Sequence, residues 1–316
     1  MNSARLRGRL LQVLPTLLLV SILVFCLQQL MPGDPALVLA GEEGANPQIL
    51  AQIRAQLWLD RPLPVQYLHW LNGLVHGNLG YSWRDQLPVA SLVLEKLPVT
   101  LQLGAMAFAF ALLIGVPAGV LSAVKRGTWW DHVANLVGLG GLSTPNFWLG
   151  IMLILLVSVH LGWLPPSGYV PLTENFWQSI ATTIMPAFVL GNATAAVLMR
   201  HTRSAMLTAL DQDYVRTARA KGLGELRVVL RHAFRNALVP VITLGALELG
   251  TLFSGAVLTE QVFSIPGFGK LVVDAVFNRD YPVVQGVVMV TATLYILLNL
   301  LADVLYVLIN PRLRVQ

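Results

Sequence analysis

Charge is what this sequence has least of. Asp, Glu, Lys and Arg together make up 12% of the 316 residues, against about 25% in an average soluble domain. The uncharged blocks are long enough to cross a lipid bilayer, and 55% of the chain is hydrophobic. That pattern excludes an ordinary soluble domain and fits a polytopic membrane protein. Cysteine is nearly absent as well. Cys26 stands alone, which excludes an internal disulfide and leaves the compartment undetermined. Neither H-E-x-x-H nor G-x-S-x-G occurs, so the familiar zinc-protease and serine-hydrolase patterns are missing. GFGK at 267–270 shares a fragment with the nucleotide-binding P-loop, but Leu271 follows the lysine and the full pattern is not completed. The chain is expected to bind no nucleotide, metal or other cofactor.

The hydrophobic runs predict an all-α protein with six transmembrane helices, at roughly 10–31, 98–124, 133–160, 177–199, 238–259 and 284–309. The first four are free of charged residues; the fifth holds Glu248 and the sixth Asp303. Arg5, Arg7 and Arg9 precede the first run, as in a signal peptide, but the run from Leu10 to Met31 exceeds the usual apolar core of such a peptide. It reads as a retained anchor, kinked at Pro15. Lys and Arg in the connections set the orientation. With the N-terminus inside, 15 of the 21 cations fall on the cytoplasmic side, and an even number of spans returns the C-terminus there. The chain divides into an N-terminal span with an extracytoplasmic segment, 1–97, and a five-span core, 98–316, carrying a long cytoplasmic loop at about 200–237.

That loop concentrates the charge. YVRTARAKGLGELRVVLRHAFRNALVP (214–240) holds six cations opposed by Glu225 alone, and Arg200 and Arg203 lie just upstream. Gly222-Leu-Gly224 is expected to split it into two short helices. In the second, Arg227, Arg231 and Arg235 recur at i, i+4 and i+8, with Leu226, Val229, Leu230, Ala233 and Phe234 on the other side. Composition alone describes a basic amphipathic helix resting on anionic lipid. Nucleic-acid binding would require groove-reading or stacking elements that the segment lacks.

The motifs carry more than charge. YVRTARAKG followed by RHAFRNALVPVIT resembles the cytoplasmic EAA-type loop of binding-protein-dependent ABC importer permeases, and in particular the dipeptide/oligopeptide/nickel branch, which includes glutathione importers. MPGDPA (31–36), HGNLGYS (76–82), LPVTLQLG (97–104), GAVLTEQVFSIPGFGKLVVDAV (255–276), RDYPVVQG (279–286) and NPRLR (310–314) are similar in order and placement. Arg216, Thr217 and Ala218 stand where the general pattern has Glu-Ala-Ala, with Gly222 in its place, and Asn78 stands where relatives have Asp. The resemblance implies a type I ABC importer permease fold in the bacterial inner membrane, non-catalytic, with both termini cytoplasmic. It implies a heterodimer with a second permease, two cytoplasmic ATPase subunits that hydrolyse ATP, and a periplasmic binding protein that delivers short peptides; glutathione, nickel or metallophore complexes, or haem would be alternative cargo. The loop would be the coupling helix, with Tyr214, Arg216, Thr217, Ala218, Arg219, Ala220, Lys221 and Gly222 at the contact with the ATPase, and Ala218, Ala220 and Gly222 allowing close approach. Docking there would turn ATPase closure into rotation of the attached spans.

Other residues keep two readings. Ile49, Leu50, Ile53 and Leu57, and then Tyr67, Trp70, Leu71, Leu74 and Val75, follow helical spacing in the outer segment. They describe interfacial helices that plug the bundle or receive the binding protein. Glu248, near the middle of span five, is a candidate for the translocation pathway or for an interface with the partner permease. Asp303 is expected to pair with a neighbour, and Gln102, Asn192 and Asn299 to hydrogen-bond between helices. An intramembrane lipid-processing enzyme and an autonomous channel or secondary transporter are the rival classes. The scattered polar groups count against the first, and the long loop against the second.

Overall fold

A computed structural model of the chain describes residues 3–30, 34–40 and 46–309. They are predominantly helical. In chain order the helices are α1 (Ser3–Leu30), α2 (Pro35–Ala40), α3 (Pro47–Gln56), α4 (Leu63–Val75), α5 (Val89–Val124), α6 (Trp129–Ser143), α7 (Asn146–Leu153), α8 (Phe176–Leu210), α9 (Asp213–Ala220), α10 (Glu225–Arg227), α11 (Arg235–Val262), α12 (Phe268–Phe277) and α13 (Tyr281–Ile309). Wider π-helical turns at Ile154–His160 and Val228–Phe234 continue α7 and join α10 to α11. Among the described residues the β-structure is one isolated bridge, Tyr81 with Pro88.

Four described helices are long and apolar enough to cross a membrane: Val89–Val124, Phe176–Leu210, Glu225–Phe253 and Tyr281–Leu301. The expected third span is not straight. Trp129–Ser143 and Asn146–His160 meet at 103°. Pro145 has no N–H to continue the helix and biases its predecessor to extended backbone; Thr144 accordingly takes φ −87° and ψ 120°. The 15-residue first arm is only about 22 Å long, short of the roughly 30 Å hydrocarbon core. The expected first span falls on α1, whose apolar stretch is Gln12–Cys26. Met31, the last residue of that expected span, and the side chain of Asp303 lie outside what is described.

The chain forms two compact units. Among the described residues, one comprises Pro98–Lys270 with Leu297–Ile309; the other, Ser3–Leu97 with Leu271–Ile296. In the first, α8 lies at the centre. Met185, Val189, Leu190, Ala195, Leu198, Met199 and Met206 are buried along it. Helices in lipid gain little from hiding apolar surface, so close backbone contact carries the packing. Gly115 and Gly119 of α5 supply it: a Cβ on Gly115 would lie 2.4 Å from the Ala195 carbonyl oxygen, and one on Gly119 2.5 Å from that of Met199. Polar side chains add the interhelical hydrogen bonds. The Gln102 amide donates to the Ser179 hydroxyl at 2.9 Å and accepts from Tyr169 at 2.7 Å, and Asn192 donates to the Gly141 carbonyl at 3.1 Å.

In the second unit, Ile49, Leu50, Ile53 and Leu57 are half-buried on and just after α3, as are Tyr67, Trp70, Leu71 and Leu74, with Gln66 and Gly73, on α4. Val75 is exposed. The Tyr67 hydroxyl meets that of Ser21 on α1 at 2.8 Å. Arg54 hydrogen-bonds Asp34 and holds its carboxyl below the usual carboxylate range. Residues 271–296, which the sequence left with the five-span core, join this unit through Asp280. Its buried carboxylate accepts from the Ser82 hydroxyl and from the backbone N–H groups of Trp83 and Arg84 at 3.2 and 3.3 Å. HGNLGYS and RDYPVVQG, about 200 residues apart in the chain, are thus one structural feature. Asn78 accepts from the Gly80 N–H at 2.9 Å through its side-chain oxygen, a bond that Asn and Asp supply equally well.

Candidate functional site

The charged loop begins where α8 ends at Leu210. α9 follows, eight residues long, and its apolar positions Val215 and Ala218 are three apart, on one face. Both are buried, in a cluster with Met206 and Ala209 of α8 and with Val228, Val229, Ala233 and Ala237 on the far side of the turn. Tyr214, Arg216, Thr217, Arg219, Ala220, Lys221 and Gly222 are exposed. Of the expected contact set, Ala218 therefore faces the chain's own core and the other seven face outward.

The break falls at Gly222, which takes φ +75°. The N–H of Gly222 bonds back to Arg219 at 2.9 Å, closing α9 with a left-handed residue of the kind that glycine adopts without strain. Beyond it the structure departs from the expectation of a second short helix. From Glu225 the chain stays helical through the π turn and α11 to Val262 without interruption. The expected apolar side also divides. Val229 and Ala233 are buried and Phe234 is half-buried, whereas Leu226 and Leu230 are exposed; Val228, outside the expected set, is buried as well. A π turn holds more residues than an α turn, so a 3.6-residue count loses register across Val228–Phe234. Arg227, Arg231 and Arg235 are all exposed.

The charges are partly spoken for. Arg219 forks onto Glu225, with Nε to Oε2 at 3.1 Å and Nη2 to Oε1 at 2.7 Å, bridging the break. Arg216 reaches Asp213 at 3.4 Å. Arg203 turns inward instead, to the buried Asp131 of α6, through two hydrogen bonds at 2.9 and 3.0 Å. Beside α9 lies a cleft of about 950 Å³ between the ends of α8 and α11, lined by His201, Ser204, Thr208, Tyr214, Arg235 and Asn236 among others.

Glu248 sits half-buried in α11, and its side chain accepts from Thr251 one turn on at 3.1 Å. Sequence reasoning passed over a second carboxylate, twelve residues further along the same helix. Glu260 is wholly buried. It accepts from the Thr100 hydroxyl at 2.5 Å and from the Lys270 N–H at 2.9 Å, while the Phe268 N–H donates to Thr100 at 2.8 Å. A Cβ on Gly267 would lie 2.3 Å from the Glu260 carboxyl carbon, and one on Gly269 2.6 Å from the Val257 Cα. GFGK is thus a backbone cradle after all, closed around the chain's own carboxylate. TEQVF followed closely by a glycine-rich turn was the signal available in the sequence.

Residues 115–315 match the family described as binding-protein-dependent transport system inner membrane component, and residues 5–104 match its N-terminal companion. The dipeptide transport system permease protein DppB of Escherichia coli K12 is 47% identical, with 97% of each chain covered. The di/tripeptide transport system permease protein DppB of Pseudomonas aeruginosa is 46% identical, with 98% of each covered. Among solved structures, a chain of the inward-facing MetNI methionine ABC transporter superposes with a TM-score of 0.58 at 19% identity, over 69% of this chain and 96% of that one.

Proposed function

Because the chain belongs to the family of binding-protein-dependent transport system inner membrane components, we propose that it is one half of the membrane pathway of an ATP-driven importer of di- and oligopeptides. The relatives' peptide cargo supports that substrate class. In this reading the chain crosses the inner membrane six times with both termini in the cytoplasm. It pairs with a second permease, and the couple takes two ATPase subunits inside and a binding protein outside. The observation that carries the coupling role is the two-sided α9: Val215 and Ala218 anchor it to the base of α11, while Thr217, Ala220 and Lys221 stand clear for a partner. A short helix with one face fixed and one face free passes a push to what it is fixed on.

The test is uptake of a labelled dipeptide by proteoliposomes holding both permeases, both ATPases and the binding protein. Uptake should require every component and ATP, and Thr217→Arg with Ala220→Arg should abolish it while the complex's basal ATP hydrolysis continues. Uptake by this chain without the ATPases would refute the reading. Mass spectrometry of the ligand carried by the binding protein settles the cargo; glutathione, a metal complex or haem in place of a peptide would move the substrate and leave the mechanism.

A further inference from the structure

The turn between α5 and α6 has two unlike faces. Its inner face is built on Asp131, which is 4% exposed. The carboxylate accepts from the Ser122 hydroxyl at 2.6 Å, the Gly127 N–H at 2.9 Å, the Asn135 amide at 2.8 Å and the Arg203 guanidinium at 2.9 and 3.0 Å. Gly127 takes φ +74°, which lets its N–H point inward to that carboxylate. Asp131 is both neutralised by Arg203 and hidden. The outer face holds Lys125, Arg126 and His132, all exposed, and two adjacent indoles, Trp129 at 72% and Trp130 at 57% exposure. No acidic side chain is exposed between Lys125 and His132.

We propose that this elbow binds the head group of an anionic phospholipid in the cytoplasmic leaflet. The leaflet assignment rests on the orientation proposed above. The elbow begins at Lys125, where the uncharged run of α5 stops, which is the height of the membrane–water boundary in the proposed orientation. Indoles settle at that boundary with the ring among acyl carbons and the N–H toward the head groups. Two cations beside them match the phosphodiester, and the pinned turn presents all four side chains without a large ordering cost. A protein partner could also cover two tryptophans, but the mixture of cations with boundary-level rings is the complement of a charged head group on an apolar chain. Two cations near an anionic surface correspond to a preference for anionic over zwitterionic lipid of up to about 30-fold.

The full-length chain in nanodiscs of phosphatidylcholine, doped with a minority of bromine-labelled lipid, tests this. Tryptophan quenching is read as the difference between the unmodified chain and Trp129→Phe/Trp130→Phe. Labelled phosphatidylglycerol should quench the elbow more than labelled phosphatidylcholine at equal fraction. Lys125→Gln/Arg126→Gln should erase that difference without moving the unfolding temperature. Equal quenching by the two lipids in the unmodified chain overturns the proposal. So does a difference that persists in Lys125→Gln/Arg126→Gln, which would mean that the two cations do not select the lipid. Thr128→Cys in a Cys26→Ser background, probed with an impermeant maleimide, reports the side. Labelling from the cytoplasm supports the leaflet assignment; labelling from outside overturns it together with the orientation, whereas equal quenching with cytoplasmic labelling overturns the lipid site alone.

Discussion

Truncating Glu260 to alanine should loosen the end of α11 more than any other single carboxylate change in the described chain. Two donors aim at it: the Thr100 hydroxyl at 2.5 Å and the Lys270 N–H at 2.9 Å. Glu260 and Thr100 are both buried, so water is not at hand to replace the lost acceptor. A buried donor left without a partner costs about 1–3 kcal/mol. Two such donors and the void left by the side chain bring Glu260→Ala to about 3–6 kcal/mol. Glu260→Gln keeps the shape and one acceptor oxygen, and turns an amide N–H₂ toward one of the two donors. It should cost roughly a third of that, about 1–2 kcal/mol. Gly267→Ala attacks the same cradle from the other side, because its Cβ would overlap the carboxyl carbon. The assay is thermal unfolding of the purified chain in one detergent, where each kcal/mol moves the midpoint by roughly 2 °C at this length. The predicted order of midpoints is unmodified, then Gln, then Ala. Midpoints within about 1 °C of each other for all three would refute the claim that this carboxylate holds the segment after α11 in place.

Three further outcomes follow from the packing. Ala218→Arg should lower stability and insertion yield, since it drives a cation into the cluster around Val228 and Ala233 at a cost of several kcal/mol; Thr217→Arg should insert normally and lose uptake only, and expression against uptake separates the two. Asp131→Ala should destabilise by about 3–5 kcal/mol by stranding Arg203, and Asp131→Ala combined with Arg203→Met should recover most of that loss, read from unfolding midpoints as a double-mutant cycle. Gly115→Leu should part α5 from α8, because even a Cβ there meets the Ala195 carbonyl; a melting temperature lowered by the equivalent of about 2 kcal/mol or more is expected, while Gly140→Ala, with open space around its Cβ position, should leave it nearly unchanged.

The sequence made visible what repeats locally. Spans two, four, five and six were legible as long apolar runs with at most one charged residue each, because each must satisfy its backbone inside the bilayer and can bury little charge. The break at Gly222 was legible because a left-handed residue asks for glycine. The 103° bend was not, because membrane helices tolerate glycine and proline, so GGLSTP at 140–145 reads equally well as a kink inside one span. Ala218 was read as a contact point for its small size, although Val215 and Ala218 at i and i+3 already marked an inward face. Glu260 escaped because its partner Thr100 is 160 residues away and nothing in either neighbourhood names the other. Leu226 and Leu230 border one apolar groove with Val229 and Phe234, as their spacing suggests, yet stay exposed, and the burial of Val228 was not legible because of the π turn that follows Arg227.

That π turn also bears on how a push at α9 would travel. In the expected picture, two short helices split at Gly222-Leu-Gly224 stand between the docking face and span five. The structure has no joint after Glu225: α9 lies against Val228, Val229 and Ala233, which belong to the same uninterrupted helix as Glu248 and Glu260. Arg219 and Glu225 tie the two sides of the one break, though as an exposed pair they contribute about 1 kcal/mol at most. The rigid link is the apolar one. A displacement of α9 cannot be absorbed by sliding over side chains as small as Ala218, Ala233 and Ala237, whose close contact leaves no slack to take up, so the base of α11 must move with it. In the proposed importer, the coupling helix and the fifth span are therefore one mechanical body. Enlarging Ala233 to leucine should then impair coupling without altering any residue that faces the ATPase.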